Sequence, residues 1–98
     1  MTDTMLIISF AELCQSEQLN QEVIIDVVEY GIAQPISGNH AQEWIFDTGS
    51  VHWLKKAVRL HYELEIDWVA VAVIVDLLKQ QETLKSKIET LQNRLERY

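Results

Sequence analysis

The sequence predicts a single, mostly α-helical domain with a small β-hairpin and a long C-terminal helix. The 98 residues are 48% apolar and 23% charged, which is enough for one compact domain and too apolar for a disordered chain. Only three Gly and one Pro are present, and this favours long helices over the short strands of a β-sandwich. Apolar residues recur at helical spacing along most of the chain, and turn-forming residues interrupt them between positions 34 and 39.

Composition points to a protein of the reducing cytosol. The single cysteine, Cys14, excludes a disulfide framework and a cluster of cysteine metal ligands. Residues 1–9 contain no Lys or Arg, so the basic start of a secretory signal is missing. The longest apolar run, residues 68–75, is far shorter than the roughly 20 residues that span a bilayer. We therefore expect a soluble, cytoplasmic protein with one domain over residues 1–98.

Charge is divided unevenly between the two halves of the chain. Residues 1–50 hold eight acidic residues and no Lys or Arg, whereas residues 51–98 hold seven acidic and all eight basic residues. The halves carry −8 and +1, which sum to the net charge of −7. Contacts from Lys and Arg to phosphates supply most nucleic-acid affinity, so the first half is unsuited to DNA or RNA. This pattern favours a basic protein partner.

A first short helix is predicted to begin at Ser9. Ser9 and Glu12 have the spacing of a capping box, in which each side chain accepts a hydrogen bond from the other residue's backbone N–H. Phe10, Leu13 and Cys14 then fall on one apolar face, at positions i, i+3 and i+4. This position makes Cys14 a buried, inert thiol.

A second helix is predicted between Asn20 and Gly31. Asn20 is a typical N-cap, and Gly31 suits the left-handed position that ends many helices. Together with the first helix and the turn before Asn20, it forms a helix-turn-helix.

One side of this second helix is acidic. Glu22, Asp26 and Glu29 share it at positions i, i+4 and i+7, and we call these three residues the acidic face. Ile25 and Tyr30 flank the acidic face on opposite sides. Three residues form the opposite, core-facing stripe, with Val23 at its margin: Ile24, Val27 and Val28. Apolar anchors beside complementary charge are typical of protein-binding sites. The alternative is a solvated acidic surface.

A small wing and a third helix follow. Pro35 and Gly38 belong to turns, and Trp44-Ile45-Phe46 is a run of β-formers, so a two-stranded hairpin is predicted between residues 32 and 47. A long helix then begins at Asp47 or Thr48 and breaks near residues 65–66.

The last helix is predicted to begin at Asp67, a good N-cap, and to run to the C-terminus. Residues 68–75 are apolar on every side, so they are either buried all round or cover a partner. Beyond them an apolar seam recurs at heptad spacing, with one interruption at Gln81: Leu77, Leu84, Ile88, Leu91, Leu95 and Tyr98. Over residues 77–98 this seam predicts either a dimeric coiled coil through Leu84, Ile88, Leu91 and Leu95, or an amphipathic helix packed on its own domain.

This order of elements resembles the MerR-like winged-helix family over nearly the whole chain. Members that bind DNA carry a basic, aromatic recognition helix and an arginine in the wing. Aligned on Asn20 and Gly31, the recognition-helix arginine and tyrosine of those members fall on Ile25 and Asp26. Aligned on Phe46, the wing arginine falls on Trp44. The resemblance therefore implies the scaffold without its cations for DNA.

Within that scaffold, the second half of the chain is similar to the CbpM-type chaperone modulators. Five segments carry the similarity: Trp44-Ile45-Phe46-Asp47, Ala57-Val58-Arg59-Leu60, Glu63-Leu64, Ile66-Asp67-Trp68 and Ala72-Val73. One departure is Val69, where members often have proline. The resemblance implies binding to the J-domain of a DnaJ-like co-chaperone, CbpA, and its inhibition, because the basic J-domain helix is the surface that Hsp70 engages. The acidic face, Ile25 and Tyr30 are the candidate contacts.

Two other functions stay open from the sequence. One is a degenerate MerR-like regulator that binds DNA weakly or through a partner, and the other is a dimerisation module built on the last helix. The third helix is predicted to carry a small basic patch, formed by Lys55, Lys56 and Arg59. Ion pairs within the helix at i,i+4 spacing, such as Arg59–Glu63, account for most of this patch without a binding role.

The sequence offers no catalytic, cofactor or metal site. The three histidines, His40, His52 and His61, share no ligand spacing, and the usual catalytic and phosphate-binding motifs are missing. Trp44 and Trp68 are expected in the core. We therefore expect a protein that binds another protein and is not an enzyme.

Overall fold

The computed structural model describes residues 6–97. Its elements follow in the order β1 (Ile7–Ser9), α1 (Phe10–Ser16), α2 (Gln21–Glu29), a 3-10 turn (Ala41–Glu43), β2 (Ile45–Asp47), α3 (Thr48–Leu64) and α4 (Trp68–Glu96). The predicted class, a mostly α-helical MerR-like winged helix-turn-helix, is confirmed. In this part of the chain no helix combines the length and apolarity needed to cross a membrane.

Three of the four helices begin at the predicted N-caps, and α3 has Asp47, one of its two predicted starts, as its N-cap. At α1, the Ser9 hydroxyl accepts from the Glu12 N–H at 3.2 Å, and the Glu12 carboxylate accepts from the Ser9 N–H at 3.1 Å, which completes the capping box. Asn20, Asp47 and Asp67 each accept a backbone N–H from the first turn of α2, α3 and α4. These side chains satisfy N–H groups that a helix start leaves without intrahelical partners.

The sheet differs from the predicted hairpin. β2 pairs antiparallel with β1, in the register Ile8 opposite Phe46, and β1 lies before the helix-turn-helix. The segment expected to supply the first hairpin strand forms only an isolated bridge, between Ser37 and Ile45. The strand at β1 went unpredicted because its pairing partner is nearly 40 residues away, beyond the reach of a local pattern.

The core lies between the helix-turn-helix, β2, α3 and the first turns of α4. Its fully buried large side chains come from every one of these elements: Phe46, Leu13, Ile24, Leu54, Val27, Val71 and Val75. No polar or charged side chain is buried among the described residues. The fold is therefore held together mainly by apolar packing, which is strengthened by edge-to-face contacts of Trp44 with Phe10 and Phe46.

The start of α4 is buried on one side only. Val71 and Val75 are in the core, whereas Val69 and Val73 are 61% and 57% exposed. Burial all round, one of the two alternatives predicted for residues 68–75, is therefore wrong. A helix that meets the rest of its domain along one face leaves the opposite face to solvent.

The second half of α4 projects away from the body. Every residue from 80 to 97 is exposed, a length of about 27 Å at 1.5 Å per residue. The radius of gyration is accordingly 16.1 Å, compared with about 13 Å for a compact domain of this length. The alternative in which the seam packs on its own domain is therefore wrong for this segment.

Candidate partner-binding face

The acidic face lies on α2, the second helix of the helix-turn-helix. Glu22 and Glu29 are exposed at the two ends of the helix, and Asp26 is half-buried between them. The three carboxylates follow the helix for about 10 Å. They form a negative strip on the element that reads DNA in other helix-turn-helix proteins.

The opposite side of α2 anchors this strip. Ile24 and Val27 are completely buried, and Val23 and Val28 pack against the core with partial exposure. Most of the predicted core stripe is thus where the sequence placed it, although Val28 is only half-buried. Because the apolar side is held in the core, the acidic side is presented in a fixed orientation.

The end of α2 is also fixed. Gly31 adopts a left-handed φ of +72°, as predicted. The N–H groups of Gly31 and Ile32 donate to the carbonyls of Val28 and Val27, each at 3.0 Å, in a Schellman arrangement.

A long-range contact that sequence reasoning missed supports the same end of the helix. The Lys79 ammonium, on α4, donates to the Ile32 carbonyl at 2.9 Å and lies 5.5 Å from the centre of the Trp53 ring. Lys79 is 47 residues from Ile32 in sequence, so no local signal points to this bond. It ties α4 to the turn that ends α2.

No cation neutralises the acidic face within residues 6–97. The two ion pairs in this range are Lys55 with Glu17 at 3.3 Å and Arg59 with Glu63 at 3.1 Å, and neither involves the face. The Arg59–Glu63 pair is the one that the sequence predicted. The negative charge of α2 is therefore available to a basic partner.

The two residues expected to flank the face differ in accessibility. Tyr30, the C-cap of α2, is 48% exposed. Ile25 is half-buried and packs against the core cluster, so only part of its side chain is on the surface. The helical wheel placed Ile25 beside the acidic strip but did not show that neighbouring elements cover part of it.

The four residues proposed for dimerisation lie together on the projecting part of α4. Leu84, Ile88, Leu91 and Leu95 are 59%, 55%, 56% and 73% exposed. They continue a stripe that begins with the exposed Val69, Val73 and Leu77, at spacings that keep all seven on one side of the helix. The stripe covers about 39 Å of α4.

The remaining candidate residues have structural contacts. Trp44 packs between Phe10 and Phe46, and Trp68 stacks on His61 at 4.0 Å between ring centres. The His61 Nδ1 lies 2.7 Å from the Ile66 carbonyl, which closes the α3–α4 junction.

Cys14 is half-buried, not fully buried as predicted, and desolvation raises the pKa of its thiol. A raised pKa lowers the thiolate fraction at neutral pH and makes the thiol less nucleophilic. Within residues 6–97, no three His, Cys, Asp or Glu residues converge in a way that could hold a metal ion.

Comparison with known proteins places these features in a family. Residues 8–93 match the model of the MerR HTH family regulatory proteins. The chain is 37% identical to the chaperone modulatory protein CbpM of Pseudomonas entomophila strain L48, over 100% of this chain and 97% of that protein. The CbpM of Pseudomonas putida strain F1 is 36% identical with the same coverage, and the CbpM of Escherichia coli O1:K1 / APEC is 29% identical over 100% of this chain and 96% of that one.

Proposed function

Since the chain belongs to the CbpM chaperone modulatory proteins, within the MerR-like family, we propose that it binds the J-domain of a DnaJ-like, CbpA-type co-chaperone and inhibits it. The observation that carries this proposal is the unpaired acidic face on α2. A Lys- and Arg-rich helix of the J-domain is the complementary surface.

The acidic face supports this function because it is both charged and fixed in place. Glu22, Asp26 and Glu29 have no cationic partner within residues 6–97, so docking a basic helix breaks no existing ion pair. The buried Ile24 and Val27 and the capped ends of α2 hold the carboxylates in one arrangement. A preorganised surface loses less conformational entropy on binding than a mobile one.

Binding at this face inhibits by occupation. A J-domain whose basic helix is covered by α2 cannot present that helix to Hsp70, so stimulation of the Hsp70 ATPase falls. Opposite charges increase the association rate, and the exposed Tyr30 and the accessible part of Ile25 supply apolar contact that slows dissociation.

The exposed stripe on α4 supports a homodimer. Every residue of the projecting part of α4 is exposed, and an isolated helix of this length is only marginally stable in water. A second copy supplies the same four residues at heptad spacing, and pairing through Leu84, Ile88, Leu91 and Leu95 covers this part of both stripes. Such a dimer carries two acidic faces and binds two J-domains.

The alternative function, DNA-binding regulation, is less well supported. α2 has no Lys or Arg, and Trp44, at the position of the wing arginine, packs between Phe10 and Phe46. Both positions that contact DNA in the family's DNA-binding members are therefore unsuited to phosphates.

Titration of the protein with a purified J-domain tests the proposal. We expect chemical-shift changes centred on α2, and a dissociation constant that increases with salt. The variant Asp26→Lys/Glu29→Lys should bind at least about tenfold more weakly, because like charges then face each other. It should also fail to inhibit J-domain stimulation of the Hsp70 ATPase.

A matched control has the same change of charge away from α2. Glu82 and Glu89 are exposed on α4, on the side opposite the apolar stripe, and Glu82→Lys/Glu89→Lys should bind as the wild type does. If the folded Asp26→Lys/Glu29→Lys protein still inhibits at wild-type concentration, the acidic face is not the docking surface.

A further inference from the structure

The exposed side of α3 forms a second surface, opposite in charge to the acidic face. Two open grooves lie along it, of about 540 and 340 Å³. The larger groove is lined by three cationic side chains, Lys55, Lys56 and Arg59, and by His52. The smaller groove is lined mainly by Leu6, Ile7 and Ile8 of the β1 segment.

The two grooves adjoin each other. Thr48 and Val51 line both of them, at the start of α3. From Thr48 to Arg59 the surface follows α3 for about 17 Å, which is enough for three helical turns or about five residues of extended chain. One end of this combined groove is apolar, with Leu6 and Ile7 66% and 56% exposed, and the other end is basic.

The basic end holds all the Lys and Arg residues of α3. Lys55, Lys56 and Arg59 are the only Lys or Arg residues before Lys79, in a chain with a net charge of −7. Lys55 and Arg59 form ion pairs with acids at the rim, yet their side chains remain 53% and 70% exposed. Lys56 takes part in neither ion pair of the described chain. This end of the groove can therefore accept further negative charge.

We propose that the α3 groove binds a segment of a partner protein in which apolar residues stand beside Asp or Glu. The apolar residues pack on Leu6, Ile7 and Val51, and the carboxylates pair with Lys56 and Arg59. This surface shares no residue with the acidic face, so the protein can hold an acidic and a basic element of its partners at the same time.

A peptide segment fits the groove better than a nucleic acid. Half of the groove is apolar and offers nothing to a phosphate backbone. Three carboxylates also lie at or near its edge, on Glu12, Glu17 and Glu63, and would repel a polyanion. A peptide can place its few charges on the cations and its apolar side chains on β1.

Fluorescence anisotropy with synthetic peptides tests this proposal. The probe is a dye-labelled, terminally blocked peptide of about six residues, with three consecutive Leu followed by three consecutive Glu, which spans the groove when extended. The same peptide with the two blocks in reverse order tests the other chain direction. Two control peptides replace either every Glu by Gln or every Leu by Ser. We expect the probe to bind at least about tenfold more tightly than either control, because each control loses one end of the groove.

Matched protein variants locate the site. Lys56→Glu/Arg59→Glu should weaken binding at least about tenfold, whereas Lys85→Glu/Lys87→Glu, with the same charge change on exposed α4, should not. Ile7→Ser should weaken binding, and Leu64→Ser, at an equally exposed position, should not. Circular dichroism must show that all four variants are folded.

Three outcomes overturn the proposal. The first is equal binding of the probe by the Lys56→Glu/Arg59→Glu variant and its α4 control. The second is tighter binding of duplex DNA than of the probe to the wild type, together with loss of that DNA binding in Lys56→Glu/Arg59→Glu. This result would assign the groove to nucleic acid. The third is a change in sedimentation mass caused by Lys56→Glu/Arg59→Glu alone, which makes the groove a contact between copies.

Discussion

At the scale of single residues, the capping box of α1 makes a pH-dependent contribution to stability. The hydrogen bond from the Ser9 backbone N–H to the Glu12 carboxylate, followed by the interaction with the Ser9 side chain, lowers the pKa of Glu12 below its ordinary 4.5. A carboxyl with a lower pKa in the folded than in the unfolded state stabilises the fold above the unfolded pKa. That contribution disappears as the pH falls through the folded pKa.

We therefore expect the stability difference between the wild type and Glu12→Ala to be largest above pH 4.5 and to shrink below it. Thermal unfolding of both proteins over this range measures the difference. A stability difference between the wild type and Glu12→Ala that stays constant with pH would contradict a pH-dependent contribution from the capping box.

Ile25 has two roles that a single substitution tests together. Because it is half-buried against the core, Ile25→Ala should lower the free energy of unfolding by about 1–2 kcal/mol, less than a fully buried Ile would. In the proposed J-domain complex it should also increase the dissociation rate and leave the association rate nearly unchanged, since an apolar side chain has no long-range field.

Denaturant unfolding and stopped-flow binding measure these two effects separately. Val23→Ala, at a half-buried position on the other side of α2, serves as the control, since it should lose stability without changing the dissociation rate. An equal change in dissociation for both variants would mean that the Ile25 effect is one of stability only.

At the scale of elements, the proposed homodimer gives the exposed part of α4 the support of a second copy. Leu84→Asp/Leu91→Asp places charges in the exposed stripe and should reduce the sedimentation mass to that of a monomer. The helix signal should fall as well, because the exposed residues 80–97 then lose the support of the second copy. Analytical ultracentrifugation and circular dichroism at matched concentrations measure both.

The control for this prediction adds the same charges on the other side of α4. Ser86 and Asn93 are exposed and lie opposite the stripe, so Ser86→Asp/Asn93→Asp should remain dimeric. A wild type that sediments as a monomer throughout the micromolar range would exclude the proposed dimer.

At the scale of the whole molecule, the charge distribution predicts no specific binding to DNA. The net charge is −7, and α2 and the wing carry no Lys or Arg. Affinity for duplex DNA at physiological salt should therefore be weaker than the usual nonspecific range of about 10⁻⁴–10⁻⁶ M. An anisotropy titration that finds micromolar binding with a steep salt dependence would contradict this prediction.

The sequence by itself determined the helices and their ends. Ser9, Asn20, Asp47 and Asp67 cap backbone groups within three residues, and Gly31 ends α2 through a conformation that glycine adopts without strain. Interactions over such short distances can be predicted from local pattern. The composition of the acidic face is equally local, because three carboxylates at helical spacing share a side wherever the helix packs.

Tertiary structure alone decided which of these sides are covered. The pairing of β1 with β2, the partial burial of Ile25 and the bond from Lys79 to Ile32 all join residues that are distant in sequence. For the same reason, periodicity could not show that Val69 and Val73 stay exposed while Val71 and Val75 are buried. An apolar pattern specifies how much surface a helix has to bury, whereas the arrangement of the other elements determines which part of that surface remains for a partner.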